Sequence, residues 1–307
     1  MNEDEIILHH YPASPFSEKV RLVFGIKRLS WRSVEIPNMM PKPDLIPLTG
    51  GYRKTPVMQI GADIFCDTQI IIRELERRHP EPTLFPRGEG LAYGLAFWSD
   101  RIFFMPTVAV IFGEIGDMVP DAFKKDRAAM SGSTFSTDAM KAAAPFARDQ
   151  VRAHLDFLAG SLKRDAFMDG ASPGASDVHG MMNVWFLKNA LPHVAKSLLE
   201  EFPAIDAWFA KLQAFGHGSM EPMSSKDALR IARESQPYAL SAADAHDPNG
   251  LKPGQIVSVS ADDYGRDPIV GEIVFSSSHE IAIRRDDQAV GGVVVHFPRA
   301  GFNVAAV

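Results

Sequence analysis

Apolar and polar positions change their period along this 307-residue chain, and each change marks a region. Over residues 1–86, short apolar or alternating runs are interleaved with helix-period stretches. Ile6 to His10 reads as a strand, and Ser17 to Lys27 as a helix with Val20, Val23 and Phe24 on one face. Ser33 to Ile36 reads as a second strand, followed by a proline-rich connection from Pro37 to Pro47. Pro56 to Ile60 and Asp63 to Cys66 form a predicted hairpin across Gly61-Ala62. Thr68 to Arg78 is predicted helical, and His79-Pro80-Glu81-Pro82 ends it. The order is β-α-β, then β-β-α.

From Leu91 to about Phe215 the helical period dominates. Leu95 to Glu114 reads as one long apolar helix with a kink at Pro106. Ala139 to Leu162, Asp177 to Asn189 and Ile205 to Phe215 complete a bundle, with Met130 to Asp138 as a loop. A polar connector, residues 216–246, contains a short helix from Lys226 to Glu234. The period then falls to two. Gln255 to Ser260, Ile269 to Phe275, Glu280 to Arg285, Val290 to Phe297 and Phe302 to Val307 are short β-rich runs. Turn residues such as Asp262-Asp263-Tyr264-Gly265 separate them. The expected organisation is an α/β domain over residues 1–86, an all-α domain over 91–222, a linker over 223–249 and a small β-barrel-like domain over 250–307. A β unit of that size is marginal alone, so it is expected to pack on the helical domain or on a partner subunit.

Composition narrows the classes. A hydrophobic fraction of 46% and a charged fraction of 23% are those of soluble globular proteins. A net charge of −6 argues against a nucleic-acid partner. The single cysteine, Cys66, excludes an intrachain disulfide framework and suits a reducing compartment. Met1-Asn2-Glu3-Asp4-Glu5 lacks the basic and apolar regions of a signal peptide. The most apolar window, Ile102 to Phe112, is interrupted by Pro106 and falls short of the roughly 20 residues that span a bilayer. A cytoplasmic protein without a membrane partner is expected. The histidines show no metal-ligand spacing, so no metal site is expected.

Three separated signals point to one site. Ser14-Pro15-Phe16 places a hydroxyl where a strand turns into a helix, at the positive end of the helix dipole. Arg53-Lys54-Thr55-Pro56 places a proline, with a cis bond expected, at the start of a strand. Asp67-Thr68 sets an acid and a hydroxyl at a helix start. Together they offer donors for a carboxylate and an acceptor for an ammonium. Ser17, one turn on from Ser14, reads as the structural cap of the first helix. Arg53 reads as a solvated loop charge, and Cys66 as a small buried hydrophobe.

These motifs resemble those of the cytosolic glutathione transferases. The turn is similar to the Ser/Cys-Pro-Phe-Ser-x-Lys-Val-Arg motif of several bacterial members, Thr55-Pro56 to their cis-proline dipeptide, and Asp67-Thr68 to their Glu/Asp-Ser pair. The resemblance implies a thioredoxin-like first domain and a helical second domain. It implies that Ser14 donates to the glutathione sulfur and stabilises the thiolate, with Pro15 and Phe16 beside it. Thr55 and Pro56 would meet the cysteinyl moiety, Asp67 the γ-glutamyl ammonium, Thr68 the γ-glutamyl carboxylate, and Lys54 the glycyl carboxylate. Phe103, Phe104 and Phe112 are candidates for the wall of an apolar, electrophilic co-substrate. Glutathione enters as co-substrate and no cofactor is expected; a homodimer is implied. In the family a Ser or Thr precedes the buried Asp of a later helix by three residues, where this chain has Gly174. The C-terminal β segment lies outside the usual two-domain pattern. The alternative is a non-catalytic binding or scaffold protein that acts through that segment.

Overall fold

A computed structural model describes residues 5–238 and 244–307; the acidic start before Glu5 and part of the expected linker lie outside the described residues. The first domain runs β1 (Ile7–His10), α1 (Pro15–Ile26), β2 (Ser30–Glu35), α2 (Ile46–Thr49), β3 (Val57–Ile60), β4 (Asp63–Cys66) and α3 (Thr68–Arg78). β1 pairs parallel with β2 and antiparallel with β3, and β3 pairs antiparallel with β4. This is the thioredoxin-like arrangement. Strand alternation assigns its two faces. Ile6, Leu8, Met58, Ile60 and Phe65 join α1, α3 and the helical domain in one core. Ile7, Val57, Ile64 and Cys66 face a second core on the other side.

The helical domain comprises α4 (Glu89–Phe97), α5 (Phe104–Ile115), α6 (Asp121–Ser131), α7 (Thr137–Ser161), α8 (Ala175–Ala190), α9 (Pro192–Leu199) and α10 (Pro203–Gln213). A π-helical stretch, Trp98–Phe103, joins α4 to α5. Pro106 lacks an amide donor, and its ring would crowd the carbonyl of Ile102 in a regular α-helix; the looser π turn takes up that misfit. The run Glu89–Met118 is long and apolar enough to cross a membrane by length and composition, which the shorter window read from sequence did not reveal. Here its buried face, Thr107, Val110 and Ile111 included, lies within the domain core. Of its charged residues, Glu89, Asp100, Arg101 and Glu114 are each in an ion pair.

Gly174 is the N-cap of α8, as its spacing from Asp177 suggests. The buried Asp177 accepts the Gly174 N–H at 3.0 Å, the Met168 N–H at 2.7 Å and the Trp208 indole N–H at 2.7 Å. The missing side-chain cap comes from elsewhere: Asp169 accepts both the Ser176 N–H and its hydroxyl at 2.9 Å. A Cβ at 174 would stand 2.3 Å from that Asp169 carboxylate and 2.7 Å from the Leu84 carbonyl, so glycine is required here in place of the Ser or Thr that the resemblance implied.

After α10 the chain adds β5 (Ser219–Pro222) parallel to β2, then α11 (Ser225–Glu234), whose Ala228 and Ala232 enter the second core. β6 (Ile256–Ala261), β7 (Ile269–Ser276), β8 (Glu280–Asp287), β9 (Gly291–Pro298) and β10 (Phe302–Ala306) follow. They do not close into the expected barrel. β9 pairs parallel with β4, giving, among the described residues, one ten-stranded sheet in the order β10-β6-β7-β8-β9-β4-β3-β1-β2-β5. The edge that β4 would otherwise leave unpaired is thereby satisfied. The third domain is therefore docked chiefly on the first domain, where the helical domain or a partner subunit was expected; it also touches the helical domain through Asp262–Arg101 and the Gly265 N–H to the Met130 carbonyl.

Candidate functional site

The β1–α1 turn is built by Ser14 and Pro15. Ser14, not Ser17, is the N-cap: its Oγ accepts the Ser17 N–H at 3.1 Å, and Pro15 opens the helix where no amide donor is needed. Ser17 sits buried inside the first turn. Capping uses one lone pair of the Ser14 oxygen and leaves its proton for donation, for which the adjacent Tyr11 phenol oxygen is an acceptor. Ser14 is nevertheless only 1% exposed, and neither it nor Pro15 lines the groove described next. Beside it, burial raises the Tyr11 phenol above its usual range, against the pull of Arg127 and Ser14.

That groove brings together the rest of the expected set. Phe16 from α1, Lys54, Thr55 and Pro56 from the loop before β3, and Asp67 and Thr68 from the β4–α3 junction all line it. The Thr55–Pro56 bond is cis, as expected. Lys42 fixes this loop, donating to the Arg53 carbonyl at 2.8 Å and to Thr55 Oγ1 at 3.1 Å. Burial lowers the Lys42 pKa to about 8, with Arg127 and Arg53 adding to the effect. Arg53 is not a solvated charge; it is paired with Asp126 of α6.

Asp67 adopts φ 97°, ψ 144°, a conformation that side chains rarely take. Such a residue costs about 1–3 kcal/mol and persists where the surroundings hold it. Its Oδ1 caps α3 by accepting the Gln69 N–H at 2.9 Å. Burial raises its pKa, opposed by that amide and by Lys54. The neighbouring Cys66 thiol is raised well above its usual value by burial and by Asp67, which makes it a packing residue and not a nucleophile.

Sequence reasoning missed the opposite wall. Phe97, Asp100 and Arg101 come from the α4–π segment, and Asp263 and Tyr264 from the β6–β7 loop. Asp100 is ion-paired to the fully buried Lys19 of α1, joining the first two domains at the groove. The Asp262-Asp263-Tyr264-Gly265 stretch carried only a turn signal, because nothing local tells which cleft a turn will meet. Of the proposed aromatic wall, Phe103 is fully buried in the core. Phe104 packs edge-on against Phe16 at 5.1 Å, and Phe112 packs against Phe123 and Phe135. Chemically the groove offers Lys54 and Thr68 as donors, Asp67 and Asp100 as acceptors, and Phe16, Pro56 and Phe97 as apolar surface.

A thioredoxin-like domain joined to a helical bundle, with a polar groove where they meet, defines the glutathione transferase-like class. A family profile for the glutathione S-transferase N-terminal domain matches residues 8–83, and one described as a domain of unknown function matches residues 108–219. A GST-like protein from Pseudomonas syringae is 38% identical, with 98% of this chain and 100% of that one covered and a TM-score of 0.77. The chain belongs to the glutathione S-transferase-like family, and the third domain falls within what it shares with that protein. FtsZ-localized protein A of Caulobacter vibrioides is 22% identical over 217 residues, which is 68% of this chain and 87% of that protein. A glutathione S-transferase from Rhodospirillum rubrum shares the fold, at 20% identity and a TM-score of 0.51 over 68% of this chain and 88% of its own.

Proposed function

We propose that this protein binds glutathione in the groove and activates its thiol for attack on an electrophilic, largely apolar co-substrate. One observation carries this above the rest: Phe16, Lys54-Thr55-cis-Pro56 and Asp67-Thr68, distant in sequence, line a single groove. The charges that line it suit the peptide. Asp67 faces an ammonium, Thr68 and the α3 N-terminus a carboxylate, and Lys54 the carboxylate at the other end. Ser14 stands at the α1 N-terminus, where a hydroxyl donor and the helix dipole would favour thiolate over thiol. Ser in this place disfavours reductions that need a mixed disulfide. A cytoplasmic homodimer is the expected setting. The outward-facing Leu91, Ile102 and Met105 on the α4–α5 run supply apolar surface for a second copy.

Calorimetric titration with glutathione tests binding, and an aryl-halide conjugation assay tests transfer. Ser14→Ala should lower the conjugation rate at least about tenfold if one hydrogen bond worth ~1.4 kcal/mol to the sulfur is lost. It should also cost about 1 kcal/mol of stability through the helix cap. Loss of stability with an unchanged rate would reduce Ser14 to a cap and sink the transferase assignment.

The second reading, a non-catalytic binding protein, is favoured by the burial of Ser14. A relative whose name places it with FtsZ makes FtsZ a partner to test. No heat and no thermal shift with glutathione, together with direct binding to purified FtsZ, would favour it over the enzyme.

A further inference from the structure

The groove is nearly full. Its free space is about 50 Å³, and at ~10–15 Å³ per water by the same kind of measure it holds a few waters and no tripeptide. What fills it is the chain's own β6–β7 loop. Asp263 Oδ1 lies 2.5 Å from Lys54 Nζ, on the cation assigned above to the glycyl carboxylate. The same carboxylate oxygen accepts the Tyr264 N–H at 2.6 Å, and the Tyr264 ring lies 4.3 Å from the Lys54 ammonium.

The loop is held in place at both ends. Asp262 pairs with Arg101 at 2.5 Å on the helical domain, and the Gly265 N–H donates to the Met130 carbonyl at 2.7 Å. Within the loop, Arg266 Nε donates to the Asp263 carbonyl at 2.7 Å. The flanking strands cannot follow a moving loop, because β6 is laddered to β10 and β7, and β7 to β8. Any withdrawal is therefore confined to the few residues between Ala261 and Ile269.

Taking the glutathione groove as its premise, we propose that Asp263 and Tyr264 are a resident occupant of that groove, with the Asp263 carboxylate in the place of the peptide's terminal carboxylate. Glutathione binds by displacing the loop, so the third domain gates the first. A ligand that must wait for an open form binds more weakly by the fraction of time that form is populated. A tethered carboxylate facing its cation has a high effective concentration and keeps that fraction small.

The test is calorimetric titration of glutathione into the intact chain and into the Asp263→Asn and Tyr264→Ala variants. Both variants are expected to bind about tenfold tighter or more. Equal affinity in all three overturns the gate and leaves the groove a glutathione site. Absence of binding in all three overturns the glutathione assignment itself, and the gate with it. Amide hydrogen exchange on the wild-type chain gives a readout that does not depend on the variants folding. Saturating glutathione should speed exchange at the Gly265 amide as its bond to Met130 breaks. Unchanged or slower exchange there, with glutathione bound, overturns displacement.

Discussion

At the scale of single residues, the groove is marked by a conflict between local comfort and ligand chemistry. Asp67 occupies backbone space suited to glycine. Replacing it by glycine should relieve about 1–3 kcal/mol of strain, while a glycine cap costs only a few tenths relative to aspartate. Asp67→Gly is therefore expected to raise the melting temperature and, by removing the acceptor proposed for the ammonium, to weaken glutathione binding at least about tenfold. Scanning calorimetry and titration on one sample report both. A variant that is less stable and binds as well as the wild type would show that Asp67 is kept only for the fold. Gly174 shows the reverse economy. The side chain expected there is missing because Asp169, five residues earlier, already supplies the cap and fills its space.

Among elements, what the sequence made legible was whatever rests on local periodicity. The Asp63–Cys66 strand and the Thr68–Arg78 helix fall on their expected residues, and the five C-terminal strands lie within a few residues of theirs. The Thr55–Pro56 and Asp67–Thr68 motifs were legible because each stands at an element boundary with a distinct chemical signature. The α6 helix, Asp121–Ser131, was missed because none of its residues is fully buried and its charged residues dilute the apolar signal. β5 was missed for a related reason: all four of its residues are exposed, and it exists by pairing with β2. The docking of β9 on β4 was illegible because a parallel ladder between segments more than two hundred residues apart leaves no local mark. That docking has a cost when it is undone. Removing residues 250–307 would expose the β4 edge and uncover Tyr52, Val57 and Ile64 of the second core. The truncated chain is expected to aggregate or to melt well below the full-length protein. A soluble, equally stable product in light scattering and thermal melting would show that the third domain is an appendage.

At the scale of the whole molecule, a buried charged cluster helps fasten the third domain to the first. His296 on β9 is buried, stacked on Phe65 at 4.3 Å, and held between Asp63 on β4 at 2.9 Å and Glu280 on β8 at 2.7 Å. Burial by itself would lower its pKa, but the hydrogen bonds and charges of the two carboxylates outweigh this and raise it to about 9. A folded-state value above the unfolded value near 6.5 stabilises the fold fully below pH 6.5, and the gain is lost as pH rises through 9. Converted at 1.36 kcal/mol per tenfold in proton affinity, this linkage is of the order of 3 kcal/mol. Lys42 works in the opposite sense: its pKa, lowered to about 8, makes the fold gain stability as pH rises from 8 towards 10.5. Total stability therefore conceals the cluster, and the difference between wild type and His296→Gln isolates it. That difference, from urea unfolding at a series of pH values, should be largest below pH 6.5 and shrink steadily up to about pH 9. A difference that stays level across the range would mean that the imidazole is neutral between its two carboxylates, and that its charge adds nothing to the joining of the domains.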